Sequence, residues 1–348
     1  MAFLTIANHL LFGLALFLIS TAFTWAMVRI RILDMPNHRS SHAYPVPNSG
    51  GVAIALTVLV GFTVVYAVSA TRIAEHHMIG LGIAALAIVA MSLLDDMGRL
   101  RTFKLKLATQ VFAAGLLLVF GIVVKEITLP FVGSIALGWW GYPVTLIWVV
   151  ALVNMFNFMD GLNGLAGGTA VIVAAFFGLF TFIQGSLFVY ILCYVVMAAA
   201  LGFLVFNFPR GRIFMGDVGS QFLGFLFAVL AVVAAEYDAS RTSLLIMPLL
   251  FLHFIFDTSY TFFRRLLAGE KVTQAHRSHL YQLLNRLGWS HARVSMLHFA
   301  MAGAQGLGAL WMLQMQSAER AFVVLPFLAA EVVYMILVTR AARRRGLI

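Results

Sequence analysis

Long runs of apolar residues alternate with short polar loops along the whole chain. Each run has about the 20 residues that an α-helix needs to cross a bilayer. The runs lie near 3–27, 50–70, 78–94, 107–124, 139–157, 169–185, 187–206, 219–235, 244–263, 295–315 and 321–340. Because backbone inside lipid must satisfy its own hydrogen bonds, this pattern predicts an all-α polytopic membrane protein with about eleven transmembrane helices.

The composition supports that fold class, since 62% of the 348 residues are hydrophobic, 10% are charged and the mean hydropathy is +0.97. With no internal repeat in view, we expect one integral membrane domain over 1–348. The first run lacks a basic start and a small-residue cleavage site, so we expect a retained span and not a removable signal peptide. The single Cys193 lies in an apolar run, which excludes a disulfide framework and a cysteine-based metal site.

Basic residues are concentrated on one side of the predicted spans. Nineteen lie in the loops 28–49, 95–106, 158–168, 207–218 and 264–294 or in the C-terminal tail, and four (Arg72, Lys125, Arg241 and Arg320) lie on the other side. The positive-inside rule makes the first set cytoplasmic, which predicts a periplasmic N-terminus and a cytoplasmic C-terminus in the bacterial inner membrane. The net charge of +10 then reflects topology and attraction to anionic lipid, so we expect no nucleic-acid partner.

A polar loop at 207–221 contains Asn207, Arg210, Arg212 and Asp217 between two apolar runs. An aspartate where a membrane helix begins is costly unless it binds something, although Asp217 capping a helix is an equally good interpretation of this loop alone. A second boundary carries Asp95 next to Asp96. Adjacent carboxylates there need a cation, a donor or a raised pKa, and the alternative is a solvated turn.

Asn154, Asn157, Asp160 and Asn163 are spaced three residues apart, so at least the first three share one stripe of a helix. Hydrogen bonding between helices would account for one asparagine but hardly for four polar groups, so a functional interpretation is favoured.

Two further cytoplasmic loops carry candidate phosphate ligands. The first contains Arg39 and His42 among prolines and glycines, and taken alone it is better interpreted as a basic loop that sets orientation. The loop 264–294 contains His276, Arg277 and His279, which suit a pyrophosphate, followed by an apolar stripe typical of a surface helix. Both interpretations of the second loop can hold together.

These clusters are expected to converge on the cytoplasmic face, where Asp95, Asp96, Asn157, Asp160 and Asp217 would meet the basic side chains, Lys106 included. Oxygen ligands with carboxylates favour a hard cation, most plausibly Mg²⁺, with Mn²⁺ as a substitute. A cation surrounded by basic groups is typical of sites that handle phosphates. A position at the membrane boundary would admit one substrate from water and one from lipid.

With these motifs in order, the sequence resembles the polyprenyl-phosphate N-acetylhexosamine-1-phosphate transferases. The resemblance covers nearly the whole chain: Arg39–Gly51, Asp95 and Asp96, Lys106 with Gln110, Asn154–Gly168, Asn207–Gly219 and His276–Gln282. It implies transfer of a sugar-1-phosphate from a UDP-N-acetylhexosamine to undecaprenyl phosphate, with release of UMP. It also implies a Mg²⁺-dependent enzyme, and a homodimer is a further expectation.

The resemblance also implies roles. Asp217 would be the main Mg²⁺ ligand with Asn157 as a second, Asp95 or Asp96 would orient or deprotonate the lipid phosphate, and Lys106 would stabilise phosphate charge. Asp160 joins the catalytic set, although part of the superfamily lacks a carboxylate there. The expected substrate-binding residues are Arg39, His42, Asn154, Asn163, Asn207, Arg210, Arg212, His276, Arg277 and His279.

The sequence departs from the family in two places. His279-Leu-Tyr281-Gln282 stands where many members have a run of histidines, and Asn48-Ser49 precedes the glycine pair where an arginine is usual. The sequence of this histidine loop resembles the branch of the family that initiates O-antigen synthesis. That resemblance predicts a 6-deoxy donor such as UDP-N-acetylfucosamine or UDP-N-acetylquinovosamine. UDP-GlcNAc is the alternative donor.

Two other classes of protein would also have many apolar spans. A transporter or lipid flippase usually has charges near the bilayer midplane and internal repeats, whereas here the carboxylates lie at span ends. A structural scaffold would have no reason to keep Asp95 and Asp96 beside an apolar run. The transferase interpretation is therefore favoured over both.

Overall fold

The computed structural model describes residues 2–30, 32–35, 44–68, 73–98, 103–129, 133–186, 188–274, 276–315 and 319–348. Its helices are α1 (Ala2–Ile30), α2 (Gly50–Val68), α3 (Glu75–Asp96), α4 (Phe103–Val119), α5 (Gly141–Phe158), α6 (Leu165–Ile183), α7 (Val189–Asn207), α8 (Gly216–Glu236), α9 (Ile246–Leu250), α10 (Leu252–Leu267), α11 (Leu280–Arg286), α12 (His291–Trp311) and α13 (Val324–Arg344). The all-α prediction is confirmed.

In the ranges just given, nine helices are long and apolar enough to cross a membrane: α1, α2, α3, α5, α6, α7, α8, α12 and α13. The other two predicted spans correspond to shorter helices. The run near 107–124 is α4, with 17 residues, and the run near 244–263 is broken at Phe251 into α9 and α10. The break at Phe251 falls between apolar residues, so the pattern of apolar and polar positions does not reveal it.

Two short antiparallel ribbons were not predicted from the pattern. β1 (Leu33–Asp34) pairs with β2 (Val46–Pro47), and β3 (Glu126–Leu129) pairs with β4 (Gly133–Ala136). Strands of two to four residues are too short to give a recognisable alternation. The first ribbon matters for the site because it leads directly into α2.

Helix α8 lies in the centre of the bundle, where it packs against α2, α3 and α5. Every residue from Val218 to Ala234 is buried. At its N-terminus α8 touches the first turn of α2 so closely that a Cβ on Gly51 would lie 2.0 Å from the backbone nitrogen of Gly219. The contact fixes the Asp217 loop at one end of the bundle, where α2, α3, α5 and α8 meet.

The direction of each span in the membrane stays a prediction, and reporter fusions test it. We expect fusions at Ala74, just before α3, and at Gly98, just after it, to report opposite sides, with Gly98 cytoplasmic. Two fusions reporting the same side would contradict both the topology and a site on the cytoplasmic face.

Candidate active site

The centre of the site is a lysine between two aspartates. Lys106, in the first turn of α4, donates to Asp217 Oδ2 at 2.5 Å and also forms an ion pair with Asp95, near the end of α3. The Asp217 side chain, in the first turn of α8, keeps 21% of its surface exposed. Three predicted residues are thus brought together, and part of the Asp217 side chain remains accessible to solvent.

Side-chain amides surround Asp217 on its other side. Asn157 Nδ2, at the end of α5, donates to Asp217 Oδ1 at 2.9 Å and to Ser220 Oγ at 2.8 Å. A chain of amides continues deeper: Gln221 Nε2 lies 3.4 Å from Asp217 Oδ2, and Gln110 Nε2 donates to Gln221 Oε1 at 3.1 Å.

Asn154 ends this amide chain, with its Nδ2 donating to Gln110 Oε1 at 2.6 Å and to the carbonyl oxygen of Val150 at 2.8 Å. Its interactions lie among these amides, one step removed from the carboxylates. We therefore interpret Asn154 as a residue that positions Gln110, and its predicted contact with substrate stays a prediction.

Asp96 has a different role from Asp95. Its two carboxylate oxygens accept hydrogen bonds from the backbone N–H groups of Asp217, at 3.0 Å, and Val218, at 3.2 Å, so it caps α8. Gly216 makes the turn possible, because its φ is +69° and a Cβ there would lie 2.6 Å from Asp96 Oδ2. Asp96 thus holds the helix that presents Asp217.

The segment before α2 completes this end of the bundle. Phe214 donates its backbone N–H to the carbonyl of Pro47 at 2.7 Å, and Gly50 returns one to the carbonyl of Phe214 at 2.9 Å. The loop containing Asp217 is thereby hydrogen-bonded to the Asn48–Gly51 segment, the second place where the sequence departs from the family it resembles. The predicted binding residues Arg39 and His42 lie outside the described residues.

Asn207 and Asn163 tie two loops together. Asn207 Oδ1 accepts from the backbone N–H of Gly164 at 2.6 Å, and its Nδ2 donates to the carbonyl of Ile213 at 2.8 Å. Both ends of this buried amide are hydrogen-bonded, which gives Asn207 a structural role, and its predicted contact with substrate stays a prediction. Asn163 donates to the carbonyl of Pro209 at 3.2 Å, and nearby Arg210 and Arg212 are exposed.

The loop that contains His276 and His279 reaches the end of α5 through Tyr281. The Tyr281 hydroxyl donates to the carbonyl of Phe158, the last residue of α5, at 2.9 Å. The ring of His279 stacks on that of Phe158, with centroids 6.1 Å apart. Since Asn157 is the neighbour of Phe158, the loop and the Asp217 cluster share one end of α5.

Buried Asp257 in α10 holds this loop. Its Oδ1 accepts from the backbone N–H of Leu280 at 2.9 Å and lies 3.2 Å from His279 Nδ1, while its Oδ2 accepts from the backbone N–H of Tyr281 at 3.0 Å. A fourth hydrogen bond comes from Thr261 Oγ1 at 3.1 Å. The carboxylate therefore caps α11 and orients His279.

His276 lies beside His279, with ring centroids 4.9 Å apart. Burial first, and then the electrostatic effect of His279, Arg265 and Arg264, lower the pKa of His276 to about 4, so the His276 imidazole is neutral at pH 7. Its Nδ1 accepts from the Ser278 hydroxyl at 3.0 Å and the Ser278 backbone N–H at 3.3 Å, which assigns the proton to Nε2. His276 can offer that N–H to an oxyanion, as can the half-buried Arg277.

Comparison with known proteins decides the family. Residues 78–235 match the family described as Glycosyl transferase family 4. The chain is 33% identical over 279 residues to the "Probable undecaprenyl-phosphate N-acetylglucosaminyl 1-phosphate transferase" of Bacillus subtilis, an alignment that spans 79% of this chain and 75% of that protein. It is 31% identical over 306 residues to the "Decaprenyl-phosphate N-acetylglucosaminephosphotransferase" of Mycobacterium leprae, covering 81% and 77%. The chain belongs to the polyprenyl-phosphate hexosamine-1-phosphate transferase superfamily.

A more distant relative, the "Undecaprenyl-phosphate alpha-N-acetylglucosaminyl 1-phosphate transferase" of Escherichia coli K12, is 26% identical over 313 residues, which cover 85% of this transferase and 81% of that protein. The three relatives span most of the bundle. The chain is therefore a multi-pass membrane enzyme of this superfamily, and the predicted resemblance is confirmed.

The chemistry of the donor set in this transferase fits Mg²⁺. Asp217, Asp95 and the amide of Asn157 offer only oxygen ligands of the hard type, and the ammonium of Lys106 already occupies a position between two carboxylates. Among the described residues no three acidic or histidine side chains form a metal-binding group. Magnesium commonly takes one or two protein carboxylates and completes its shell with water and substrate phosphates, so such a set is sufficient.

Asp160, between α5 and α6, provides a pH test. Burial and the charge of Asp217 raise the pKa of Asp160 to about 7. The folded protein therefore holds this proton over a range, from about pH 4 to 7, in which the unfolded chain has lost it, and stability falls as pH rises through that range. We expect Asp160→Asn in chelator to unfold at a higher temperature than the parent at pH 8 and at nearly the same temperature at pH 4. Glu319→Gln is the control; equal differences at both pH values would contradict the burial of a protonated Asp160.

Sequence reasoning missed residues that act through others. Ser220 binds Asn157, Gln221 extends the amide chain and Tyr281 joins the histidine loop to α5. A serine and a glutamine three and four residues after Asp217 share its side of α8, and that spacing was the available signal. No comparable signal marks Tyr281, whose partner carbonyl is 123 residues away in the sequence.

Proposed function

We propose that this enzyme transfers an N-acetylhexosamine-1-phosphate from a UDP-sugar to undecaprenyl phosphate and releases UMP. The observation that carries the proposal is the Asp95–Lys106–Asp217 cluster at one end of an apolar helix bundle. The Lys106 ammonium between two carboxylates lies at the end of the bundle, a position that suits a phosphate from a lipid and a diphosphate from water. The names of its relatives, which act on polyprenyl phosphates, support the same reaction.

In the proposed mechanism an oxygen of the lipid phosphate attacks the phosphorus that carries the sugar, in line with the pyrophosphate oxygen that leaves with UMP. One P–O bond forms and one breaks, so no phospho-enzyme is needed. Asp95 lies beside Lys106 and would accept any proton remaining on the lipid phosphate. Lys106 would neutralise charge on the transferred group.

Asp217 and Asn157 would hold Mg²⁺, which when bound supplies electrostatic stabilisation of the diphosphate and of the leaving phosphate. Asn157 would have to present its carbonyl oxygen, so its amide would turn from the arrangement in which Nδ2 faces Asp217. Asp96 contributes by keeping α8 in place, and we assign it no contact with substrate.

The donor nucleotide would lie towards the rim formed by Asn163, Arg210 and Arg212, with His276 and Arg277 facing the diphosphate. The exposure of both arginines and the Nε2 proton assigned to His276 support this placement. We place the reaction on the cytoplasmic face of the bacterial inner membrane, where it would initiate O-antigen or another cell-surface polysaccharide, and a homodimer is the expected assembly.

The identity of the donor sugar is the most specific part of the proposal. The sequence of the histidine loop predicts a 6-deoxy donor, whereas the relatives are named for N-acetylglucosamine. Because those relatives span most of the chain, we propose UDP-GlcNAc as the donor to test first, with UDP-N-acetylfucosamine and UDP-N-acetylquinovosamine beside it.

A transfer assay on the purified protein with undecaprenyl phosphate, Mg²⁺ and the three labelled donors tests the reaction and the sugar together. We expect label in the lipid phase and one UMP released per sugar transferred. Higher kcat/KM with a 6-deoxy donor would retain the reaction and return the sugar to the prediction from sequence. Folded, Mg²⁺-supplied protein that releases no UMP from any donor would overturn the proposal.

A further inference from the structure

A groove separate from the candidate active site lies between α11 and the last turns of α13. Its volume is about 420 Å³, and it is lined by Leu284, Leu287, Trp289, Leu337, Val338, Ala341, Arg344 and Arg345. None of these residues belongs to the cluster around Asp217, and the three from the loop 264–294 (Leu284, Leu287 and Trp289) follow His276, Arg277 and His279 in the chain. The groove is therefore a second concave surface on the same protein.

The lining has two chemical parts. Hydrocarbon from leucines, a valine, an alanine and Trp289 makes the floor, and Leu337 is 62% exposed and Trp289 41% exposed. Arg344 and Arg345 are exposed at the end of α13. None of the eight lining residues is acidic, so the groove offers two positive charges with no lining carboxylate to neutralise them.

This combination matches one kind of ligand. A free anion would bind the arginines but would leave the apolar floor of the groove uncovered. An apolar helix would cover the floor but would leave two guanidinium groups without hydrogen-bond partners. An anionic phospholipid satisfies both parts, because its phosphate is joined to an acyl chain. The groove also lies at the end of a spanning helix, where headgroups are found and where each basic residue near the surface attracts anionic lipid.

We propose that this groove binds one anionic phospholipid, with the phosphate on Arg344 and Arg345 and an acyl chain along Leu284, Leu287 and Leu337. Neighbouring Arg286 is directed elsewhere, because it donates to the carbonyl oxygens of Arg277 and Leu347. The lipid would hold α11 against α13 from outside the bundle. The proposal is independent of the sugar, the metal and the reaction.

Native mass spectrometry of the protein in neutral detergent tests this, with phosphatidylglycerol and phosphatidylcholine of the same acyl chains added separately. We expect one tightly bound phosphatidylglycerol and weaker phosphatidylcholine. Arg344→Gln with Arg345→Gln should weaken phosphatidylglycerol about tenfold and leave phosphatidylcholine nearly unchanged. Ala341→Trp, which fills the groove and keeps both charges, should weaken both lipids.

The matched control is Arg340→Gln with Arg343→Gln, which removes the same charge from exposed positions of the same helix end that do not line the groove. We expect less than about a twofold change there. An equal loss in both double variants would overturn the proposal in favour of general charge attraction. Displacement by equimolar inorganic phosphate, or preferred binding of undecaprenyl phosphate, would overturn it as well. Thermal unfolding of each variant confirms that it is folded.

Discussion

Asp217→Asn is expected to abolish sugar-phosphate transfer, with kcat reduced at least about a thousandfold. The carboxylate accepts from the ammonium of Lys106 at 2.5 Å and from the amide of Asn157 at 2.9 Å. An asparagine would turn one of these contacts into a donor facing a donor and would remove the charge that holds a cation. The change is nearly isosteric and the side chain is partly exposed, so the bundle should remain folded.

Three measurements make this prediction specific. Raising the Mg²⁺ concentration should not rescue the variant. The substitution removes the negative charge of a metal ligand, and higher occupancy of the metal site does not replace that charge. Asp238→Asn, a buried carboxylate just beyond the opposite end of α8, should keep most of the activity. Near-normal turnover in Asp217→Asn with an unchanged unfolding temperature would remove Asp217 from the metal site and from the proposed mechanism.

The bundle could be predicted from sequence because the spans depend on local composition alone. Apolar runs long enough to cross a bilayer leave a helix as the main solution, whatever the rest of the chain does. The helix break at Phe251 escaped prediction because the residues on both sides of it, Leu250 and Leu252, are apolar. The paired strands Leu33–Asp34 and Val46–Pro47 escaped it because their pairing depends on a contact across a loop.

The convergence of Asp95, Lys106 and Asp217 could also be predicted, since ionisable groups at span ends are few and expensive. Their individual contacts could not be. Lys106 and Asp217 are 111 residues apart, and sequence offers no distance between them. Asp95 and Asp96 are neighbours, yet one faces Lys106 and the other caps α8. That division depends on the direction in which α3 ends.

The assignment of Asn207 shows the same limit. Polar residues in a glycine-rich loop were expected to bind substrate, and Arg210 and Arg212 are exposed as that expectation requires. The buried amide of Asn207 instead satisfies backbone groups of Gly164 and Ile213. A loop that approaches a ligand must also satisfy its own backbone, and composition does not tell which side chain does so.

The second large effect is expected at Asp257, which composition did not distinguish from other polar residues of its helix. Asp257→Asn should lower the stability of the protein by about 3 kcal/mol, because a buried carboxylate that accepts several hydrogen bonds is replaced by a group with only one acceptor. One backbone N–H, at Leu280 or Tyr281, would then face an amide donor. We expect α11 to lose its cap and the histidine loop to move.

Kinetics separate a loop effect from a general loss of folding. His276 and Arg277 are proposed to bind the donor diphosphate, so the KM for the UDP-sugar should rise about tenfold or more in folded Asp257→Asn. The KM for undecaprenyl phosphate should change little, because Asp95 and Lys106 lie on α3 and α4. Limited proteolysis should cut the segment between α10 and α11 faster than in the parent.

Glu270→Gln provides the matched control, since it makes the same carboxylate-to-amide change in the loop that Asp257 holds. Glu270 accepts from Arg265 Nε at 2.7 Å but is 53% exposed, so solvent screens the ion pair and we expect no more than about 1 kcal/mol. If Asp257→Asn resembled this control in KM and in protease resistance, the cap on α11 would not be what positions His279. A selective rise in the KM for the UDP-sugar would instead show that a carboxylate inside the bundle orients the loop that receives the donor.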